Sequence, residues 1–548
     1  MTTLTLPPDV KTIAIRPVVR IRRPRPAATP GDALPLAAIA ALASAAGLVH
    51  AIAWVFPGAC WAAWIAQMLT ILLAVSCRPR QALVWGAFAG AVGIACSFHW
   101  GIAALRQTFD ATFWMAWVLF AGLVAIEAVA FGLFCCLTAA AAHKGISCLW
   151  LTPCFWAAIE FWYPRVFPWK LGYTQLEFLP LIQIAELGGP TTIGFVMTAV
   201  AMIPALWFLW WRGGRRLRDR RSAMWLSLAG GGLLAATLVF GVIRIRQYDD
   251  YSASSPQLKL ALIQVDPAYQ GAEQKLLDRT LAVQDQVDLV CWPESALGVY
   301  SEALAHFRDL KLNSRLSRGY RILTQPAKGL TRHLLAGGKL YRADAGDEGP
   351  YSMTGFLISP EQDILGRYKK RTLMPFGEYI PGQQWWPAIR EYATLHDLIE
   401  AGTDPRPLTM LNGQKLGLVI CYEDTQPHRA RATSNAGAEA LFSLIQGTAF
   451  ENSLTLIQHQ RLAALRAVEN RRYFVRCAST GMSCVIGATG RIVSALPVQT
   501  EGTLVSQIGL LGGQSLFGRC GDFFPIVCTF VAAAVIFSGG RWRRFRRA

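Results

Sequence analysis

The chain has 548 residues, of which 53% are apolar and only 16% charged, with 19 Trp among them. That is too little charge to cover a soluble surface of this length and too much apolar matter for one core, which excludes an ordinary soluble protein. The net charge of +18 would suit a nucleic-acid binder, but the positive charge lies in short blocks beside apolar runs, which excludes that class as well.

From the amino end, residues 1–30 are Pro- and Arg-rich and contain Lys11, Arg16, Arg20, Arg22, Arg23 and Arg25. The segment is longer than the charged region of a cleaved signal peptide and leads into several apolar runs, so it reads as a cytoplasmic tail. Apolar runs follow at roughly 33–54, 58–77, 81–104, 112–142, 146–163, 179–211 and 222–243, with a last one at about 523–539, against the ~20 residues a membrane helix needs. The fourth and sixth exceed one bilayer crossing and are expected to include tilt, interfacial turns or re-entrant pieces.

Basic blocks punctuate the runs: the tail, Arg78 with Arg80, Lys144, the cluster between Arg212 and Arg221, and the cluster between Arg541 and Arg547. With Asp9 and Asp219 inside them, these blocks account for the whole net charge of +18. With the tail in the cytoplasm, seven spans carry the chain out and an eighth returns it, which puts every block on the cytoplasmic side. There the blocks can contact anionic lipid headgroups. Arg165, Lys170, Arg244 and Arg246 fall on the far side as exceptions. The reading is a transmembrane domain over 31–245, a catalytic domain over 256–510 on the non-cytoplasmic face, a final helix at 521–540 and a basic cytoplasmic tail at 541–548.

From about residue 256 the sequence turns mixed, with strands expected at 258–264, 287–292, 333–337, 354–359, 415–421 and 483–487 and a helix at 456–469. Alternating strands and helices predict a layered α/β sandwich. The 13 Cys show no CxxC pair, and seven lie between positions 60 and 154 inside apolar runs, so neither a disulfide framework nor a zinc site is expected. There is no metal motif and no nucleotide loop, and no cofactor is expected.

Three strand-end patterns carry candidate chemistry. Trp292-Pro293-Glu294-Ser295 places a carboxylate just past an apolar strand. The stretch from Tyr368 to Glu378 places a lysine and a glutamate around a loop, and Val419-Ile420-Cys421-Tyr422-Glu423 places a thiol at a strand end. Rigid strand ends feeding variable loops are where catalytic groups gather in α/β domains. A thiol needs a base to become a nucleophile, and a fixed ammonium can stabilise a developing oxyanion; Glu294, Cys421 and Lys370 supply these groups.

These three patterns resemble the signatures of the nitrilase superfamily, and the membrane setting narrows the resemblance to the apolipoprotein N-acyltransferase family. Further fragments resemble that family: Phe167-Pro168-Trp169, the stretch from Leu171 to Gln175, the stretch from Gln183 to Gly189, Gln458-His459, and Arg466-Ala467-Val468-Glu469 with Arg472. The resemblance implies a multi-span helical membrane domain carrying a nitrilase-like α-β-β-α sandwich. It implies Cys421 as nucleophile, Glu294 as general base and Lys370, eight residues before Glu378 and preferred over Lys369 on that spacing, as oxyanion stabiliser. Glu378, Tyr422 and Glu423 are the implied supporting residues. The implied reaction moves an acyl chain from a phospholipid onto the thiol and then to the N-terminal amine of a lipoprotein, in a bacterial inner membrane with the catalytic domain in the periplasm and both termini in the cytoplasm.

The sequence departs from the family twice. The Asn-Asp-x-Trp-Phe-Gly run after the nucleophile is replaced by LIQGTAFEN at 444–452, which keeps only Phe450, and 267–275 lacks the family's Trp. Alternative readings are a membrane-anchored nitrilase-type amidase, a plasmid conjugal-transfer paralogue, and a non-enzymatic component that retains the fold. His459 is expected to be structural, His99 and His143 to be packing or interfacial residues, and Glu127, Glu160 and Glu186 to serve either function or interhelical hydrogen bonding. The aromatic stretch 155–169 reads as an interfacial belt, with a lipid-facing cleft under the catalytic domain as the alternative.

Overall fold

The computed structural model describes residues 34–109, 112–165, 167–212, 220–266, 271–301, 329–341, 350–386, 399–447 and 453–538. The tails at 1–30 and 541–548, most of the basic cluster before Arg220, and much of the two departing stretches, with Phe450, lie outside the described residues.

Each of the eight apolar runs carries a helix. By length and composition Leu36–Val55, Phe113–Lys144, Pro190–Trp211 and Arg220–Ser254 can cross a membrane, and Pro79–Ser97 with Gly101–Gln107, bent by 59°, forms a fifth candidate. Cys60–Ser76, Ile146–Trp162 and Phe523–Ile536 are shorter apolar helices. The run at 112–142 holds one straight-through helix of 32 residues, about 48 Å at ~1.5 Å per residue, rather than a helix with turns. The run at 179–211 instead breaks into Leu179–Ile182, Ala185–Gly188 and Pro190–Arg212. Buried Ala43, Ala46, Ala62, Ala63 and Ala66 let these helices approach closely, the usual basis of packing where lipid is as apolar as the side chains.

The final long helix, Arg220–Ser254, runs almost directly into the first strand, Gln257–Gln264 (β1). The remaining strands are β2 (Leu289–Cys291), β3 (Val299–Ser301), β4 (His333–Tyr341), β5 (Tyr351–Ile358), β6 (Ile364–Lys369), β7 (Leu408–Thr409), β8 (Lys415–Ile420), β9 (Ala440–Ile445), β10 (Phe474–Ala478), β11 (Cys484–Ile486), β12 (Ile492–Ala495) and β13 (Gly502–Gly509). They form two mixed sheets. One has the order β13-β1-β2-β4-β5-β6 with β3 on β4, and the other has the order β12-β11-β10-β9-β8-β7.

Side-chain alternation builds the layers. Leu258, Leu260 and Leu262 of β1 meet Leu416, Leu418 and Ile420 of β8 between the sheets. Ala261 and Ile263 point the other way, onto Ala272 and Leu276 of the helix Ala272–Val283. On the far side Val419 packs under the helix Ser453–Asn470. The period of two along each strand thus yields the expected α-β-β-α order.

The helix Ser453–Asn470 has two apolar faces. Ala463, Ala464 and Ala467 sit against the second sheet, while Leu462, Leu465 and Val468 belong to the core of the membrane helices. Polar contacts seal this seam. Gln458 donates to the carbonyls of Trp54 and Ser97 and accepts from Trp100, and the Arg466 guanidinium donates to the Tyr173 hydroxyl (3.0 Å). Glu186 accepts from Arg471 and pairs with Arg244 at 2.6 Å. Glu127 pairs with Arg165 at 3.3 Å, Glu160 accepts from the Leu171 amide, and Lys170 donates to Thr191. Arg165, Lys170 and Arg244 are therefore held by carboxylates or hydroxyls.

Candidate active site

Three strand ends of the sandwich converge. Glu294 follows β2, in a loop held by the Leu297 amide donating to Gly337 (2.9 Å) and the Trp292 indole donating to Thr280 (2.9 Å). Gly337 on β4 is required here, because a Cβ at that position would lie 2.8 Å from the Glu294 Cα. Lys370 is the first residue after β6, its amide donating to Met353 and its carbonyl accepting from Gly402. Gly402 is likewise forced, since a Cβ would sit 2.5 Å from the Lys369 carbonyl oxygen. Cys421 is the first residue after β8 and opens the short turn Cys421–Thr425.

Cys421 adopts φ +50°, and Ser295 and Phe376 adopt φ +63°. Left-handed backbone costs an L-residue about 1–3 kcal/mol and persists only where the surroundings impose it. Each of the three loops holds one such residue at or beside a candidate side chain, so each loop is bent to aim a group rather than to relax.

The groups meet. The Cys421 thiol and the Glu294 carboxylate lie close enough to shift each other's ionisation. Glu294 Oε2 accepts from the Gln446 amide at 3.0 Å, and its Oε1 lies 3.9 Å from Lys370 Nζ. Lys370 donates to Glu378 Oε1 at 2.5 Å, and Glu378 Oε2 accepts from the Met374 amide at 2.7 Å. Glu423 is a clamp rather than an ion-pair partner. It accepts from the amides of Ile420, Arg371 and Thr372 and from the Tyr368 hydroxyl, all within 2.7–2.9 Å. It therefore ties the thiol's turn to the lysine's loop. Lys369, the neighbour set aside on spacing, ends β6 and pairs with Thr354.

Burial pushes the Glu294 carboxyl up to about 7, against the nearby ammonium of Lys370, which lowers it. Burial alone would lower Lys370, but Glu378, then Glu294 and Cys421, outweigh it and hold the ammonium above its ordinary value. Burial, then Glu294, raises the Cys421 thiol well above its usual range. The resting site thus holds a neutral thiol, a fixed cation and a carboxyl whose ionisation falls near neutrality, where a base is both present and strong enough to act.

The thiol opens onto a narrow, open-mouthed cleft. Its far wall is aromatic: Trp54, Phe98, Trp100, Phe167 and Trp169, from helix ends and loops of the membrane region. Tyr422 lines it as well and meets Phe167 edge-on at 6.2 Å. Within the stretch 155–169, then, Phe155 and Trp156 are buried and Phe167 and Trp169 form the cleft, while Trp162 alone of these is largely exposed.

A family model described as the apolipoprotein N-acyltransferase N-terminal domain matches residues 46–203, and one described as carbon-nitrogen hydrolase matches residues 246–515. The chain is 30% identical over 521 residues to an apolipoprotein N-acyltransferase of Geobacter metallireducens, covering 90% of this chain and 94% of that one. It belongs to the apolipoprotein N-acyltransferase family. A member from Caulobacter vibrioides is 28% identical over 532 residues, covering 91% of this chain and 93% of the relative. The crystal structure of an amidase from Nesterenkonia sp. is 21% identical, covers 46% of this chain and 91% of its own, and has a TM-score of 0.32. As a family member the protein is a membrane acyltransferase of the carbon-nitrogen hydrolase superfamily.

The structure also gathers groups to which the sequence assigned no catalytic or supporting role. Asp424, one residue past the clamp, receives His459 at 2.7 Å, and His459 lines the cavity rather than the protein interior. Thr425, Thr455 and Gln458 line it too. No sequence signal joins residues 35 positions apart on a turn and a helix. Among the described residues no group of three or more His, Cys, Asp or Glu is placed to hold a metal.

Proposed function

We propose that the protein transfers an acyl chain from a membrane phospholipid, through a thioester on Cys421, to the N-terminal amine of a lipoprotein. Glu294 takes the thiol proton as the sulfur attacks the ester carbonyl. Lys370, held by Glu378, stabilises the oxyanion that forms, and Glu294 then protonates the departing alcohol. Glu423 keeps the nucleophile's turn and the lysine's loop in register, and Tyr422 shapes the cavity. The acceptor assignment rests on the names of the relatives, which are apolipoprotein N-acyltransferases.

The observation that carries this reading is the cleft: the Cys421 thiol faces a wall of five aromatic side chains supplied by the membrane helices and their loops. A small amide needs no such wall, whereas a fatty chain is stabilised by roughly 0.8 kcal/mol for each methylene it buries. The orientation we propose is cytoplasmic termini and a periplasmic catalytic domain, supported by the spacing of the five basic blocks, which fall on one side when each of the eight apolar runs crosses once.

The test is intact mass of the purified enzyme after incubation with phospholipid vesicles. We expect a gain of one acyl chain, labile to a competing thiol, and its complete absence in Cys421→Ala. An adduct that survives in Cys421→Ala, or none in the parent enzyme, overturns the thioester route. Rescue of a bacterium lacking its own lipoprotein acyltransferase tests the acceptor.

A further inference from the structure

The two halves of such a reaction differ in their proton balance. In the first half the thiol proton passes to Glu294 and on to the departing alkoxide, so Glu294 ends as it began. In the second half the acceptor arrives as an ammonium, since α-amines titrate near 7.7–8.0. It must lose one proton to become a nucleophile and a second from the tetrahedral adduct. Only one of these is needed by the leaving thiolate. Glu294 can shuttle that one, and the other requires a second base with a route to solvent.

We propose that His459, oriented by Asp424, is that second base. The inference rests on the acyl-transfer reading above. The imidazole lines the cavity together with Cys421, and its side chain is 17% exposed, whereas Asp424 is fully buried. Asp424 accepts from His459 Nε2 at 2.7 Å, from the Ser443 hydroxyl at 3.0 Å and from Arg476 Nε at 3.3 Å. Burial alone would raise the Asp424 carboxyl, but His459 and Arg476 outweigh it and hold it below its ordinary value. An ionised carboxylate can only accept, so the ring proton sits on Nε2 and Nδ1 carries the free lone pair. Among the described residues Nδ1 has no partner. Among the described residues the charged and titratable groups near the ring include Cys421, Tyr422 and Asp424 on the turn, with Arg476 of β10 behind Asp424.

The step then balances. Nδ1 removes one proton from the ammonium. The freed amine attacks the thioester carbon, and the adduct passes its second proton through Glu294 to the sulfur as the C–S bond breaks. The products are the amide, the free thiol and an imidazolium that discharges its proton to water. Asp424 is a positioning residue that fixes the tautomer.

The experiment loads the enzyme from phosphatidylethanolamine vesicles and follows the acyl-enzyme by intact mass. It then adds either a synthetic diacylglyceryl-cysteine peptide with a free α-amine or hydroxylamine, an amine already neutral at pH 7. In His459→Gln we expect discharge by the peptide to fall about 100-fold or more beyond any change in loading, within the range for one general base. Raising the pH above the peptide's own titration narrows the gap, and hydroxylamine discharges both proteins at similar rates. Discharge by the peptide within about threefold of the parent, or equal losses with both amines, overturns the proposal and leaves the His459–Asp424 pair a tie between helix and turn. His459→Asn carries the same comparison where the Gln variant does not accumulate. A parent enzyme that never loads sinks the acyl-transfer reading itself, and this step with it.

Discussion

Two sets of buried charge lie on either side of the helix Ser453–Asn470, and they are built differently. At the seam with the membrane helices one carboxylate, Glu186, is shared by two guanidiniums, Arg244 and Arg471, both in direct contact. Arg466 and Glu469 pair at 2.6 Å beside it. At the candidate site the ratio is inverted: two carboxylates share one ammonium, with Glu378 2.5 Å and Glu294 3.9 Å from Lys370 Nζ. Glu186 uses both oxygens on its two guanidiniums and joins the two domains, whereas the neighbouring Glu469 keeps one oxygen unpartnered and is raised by burial to about 7. At the candidate site burial raises Glu294 likewise, against an ammonium that it shares with Glu378.

Breaking the seam should have the largest effect and should fall on stability. Glu186→Gln leaves two guanidiniums without their anion, and removing one partner of a buried pair costs about 3–5 kcal/mol. The melting temperature in detergent is expected to drop sharply, while turnover per folded molecule stays within a few fold. A large turnover loss in well-folded protein would erase the distinction between the two sets.

Lys370→Met tests the other set. We expect a loss of about 100- to 1,000-fold in acyl transfer, the cost of one oxyanion donor, about 2.7–4 kcal/mol in the barrier. The variant also removes the cation that lowers Glu294, so the pH at which acylation rises should move upward. Near-parental turnover would take Lys370 out of the mechanism.

The smallest effect sharpens the contrast. With the Glu294 carboxyl at about 7, acylation should climb about tenfold per pH unit below neutrality and level off above it. Because burial raises this carboxyl above its unfolded value, its stabilising contribution is complete at acid pH and is lost as pH rises through about 7. Glu294→Gln should therefore melt higher than the parent at pH 8, by of order 1–3 kcal/mol, with the gap closing toward pH 5, while activity disappears. A variant less stable at pH 8 would mean that Glu294 is a satisfied charge like Glu186.

The site was legible where chemistry is local. Glu294, Lys370 and Cys421 each stand just past an apolar strand, and strand ends place side chains predictably, so short motifs sufficed to nominate residues that the fold then gathers. Glu378 and Glu423 were visible by their spacing, but not their hydrogen bonds, since a glutamate that clamps three amides looks in sequence like one that meets an arginine. The cavity wall was not legible. Trp54, Phe98 and Trp100 sit in or beside apolar runs, where an aromatic facing lipid and one facing a cleft have the same neighbours. Nor was the His459–Asp424 pair, which only the packing of a helix on a turn creates. The strands at 258–264 and 415–421 were read almost to the residue because short, nearly continuous apolar runs, buried on both faces, write them plainly. The long runs were harder, since uniform hydropathy does not say whether 32 residues make one helix, as at Phe113–Lys144, or several pieces, as before Pro190.

The aromatic wall comes from the ends of helices, at Trp54 and Phe98, and not from their middles. On the acyl-transfer reading the thiol waits at the height of the glycerol esters, and the donor diffuses to it within the leaflet without leaving it. The quantity that saturates the enzyme is then a mole fraction in a plane rather than a molarity. Adding inert detergent at constant lipid should slow the reaction by surface dilution, whereas enlarging the aqueous volume should not.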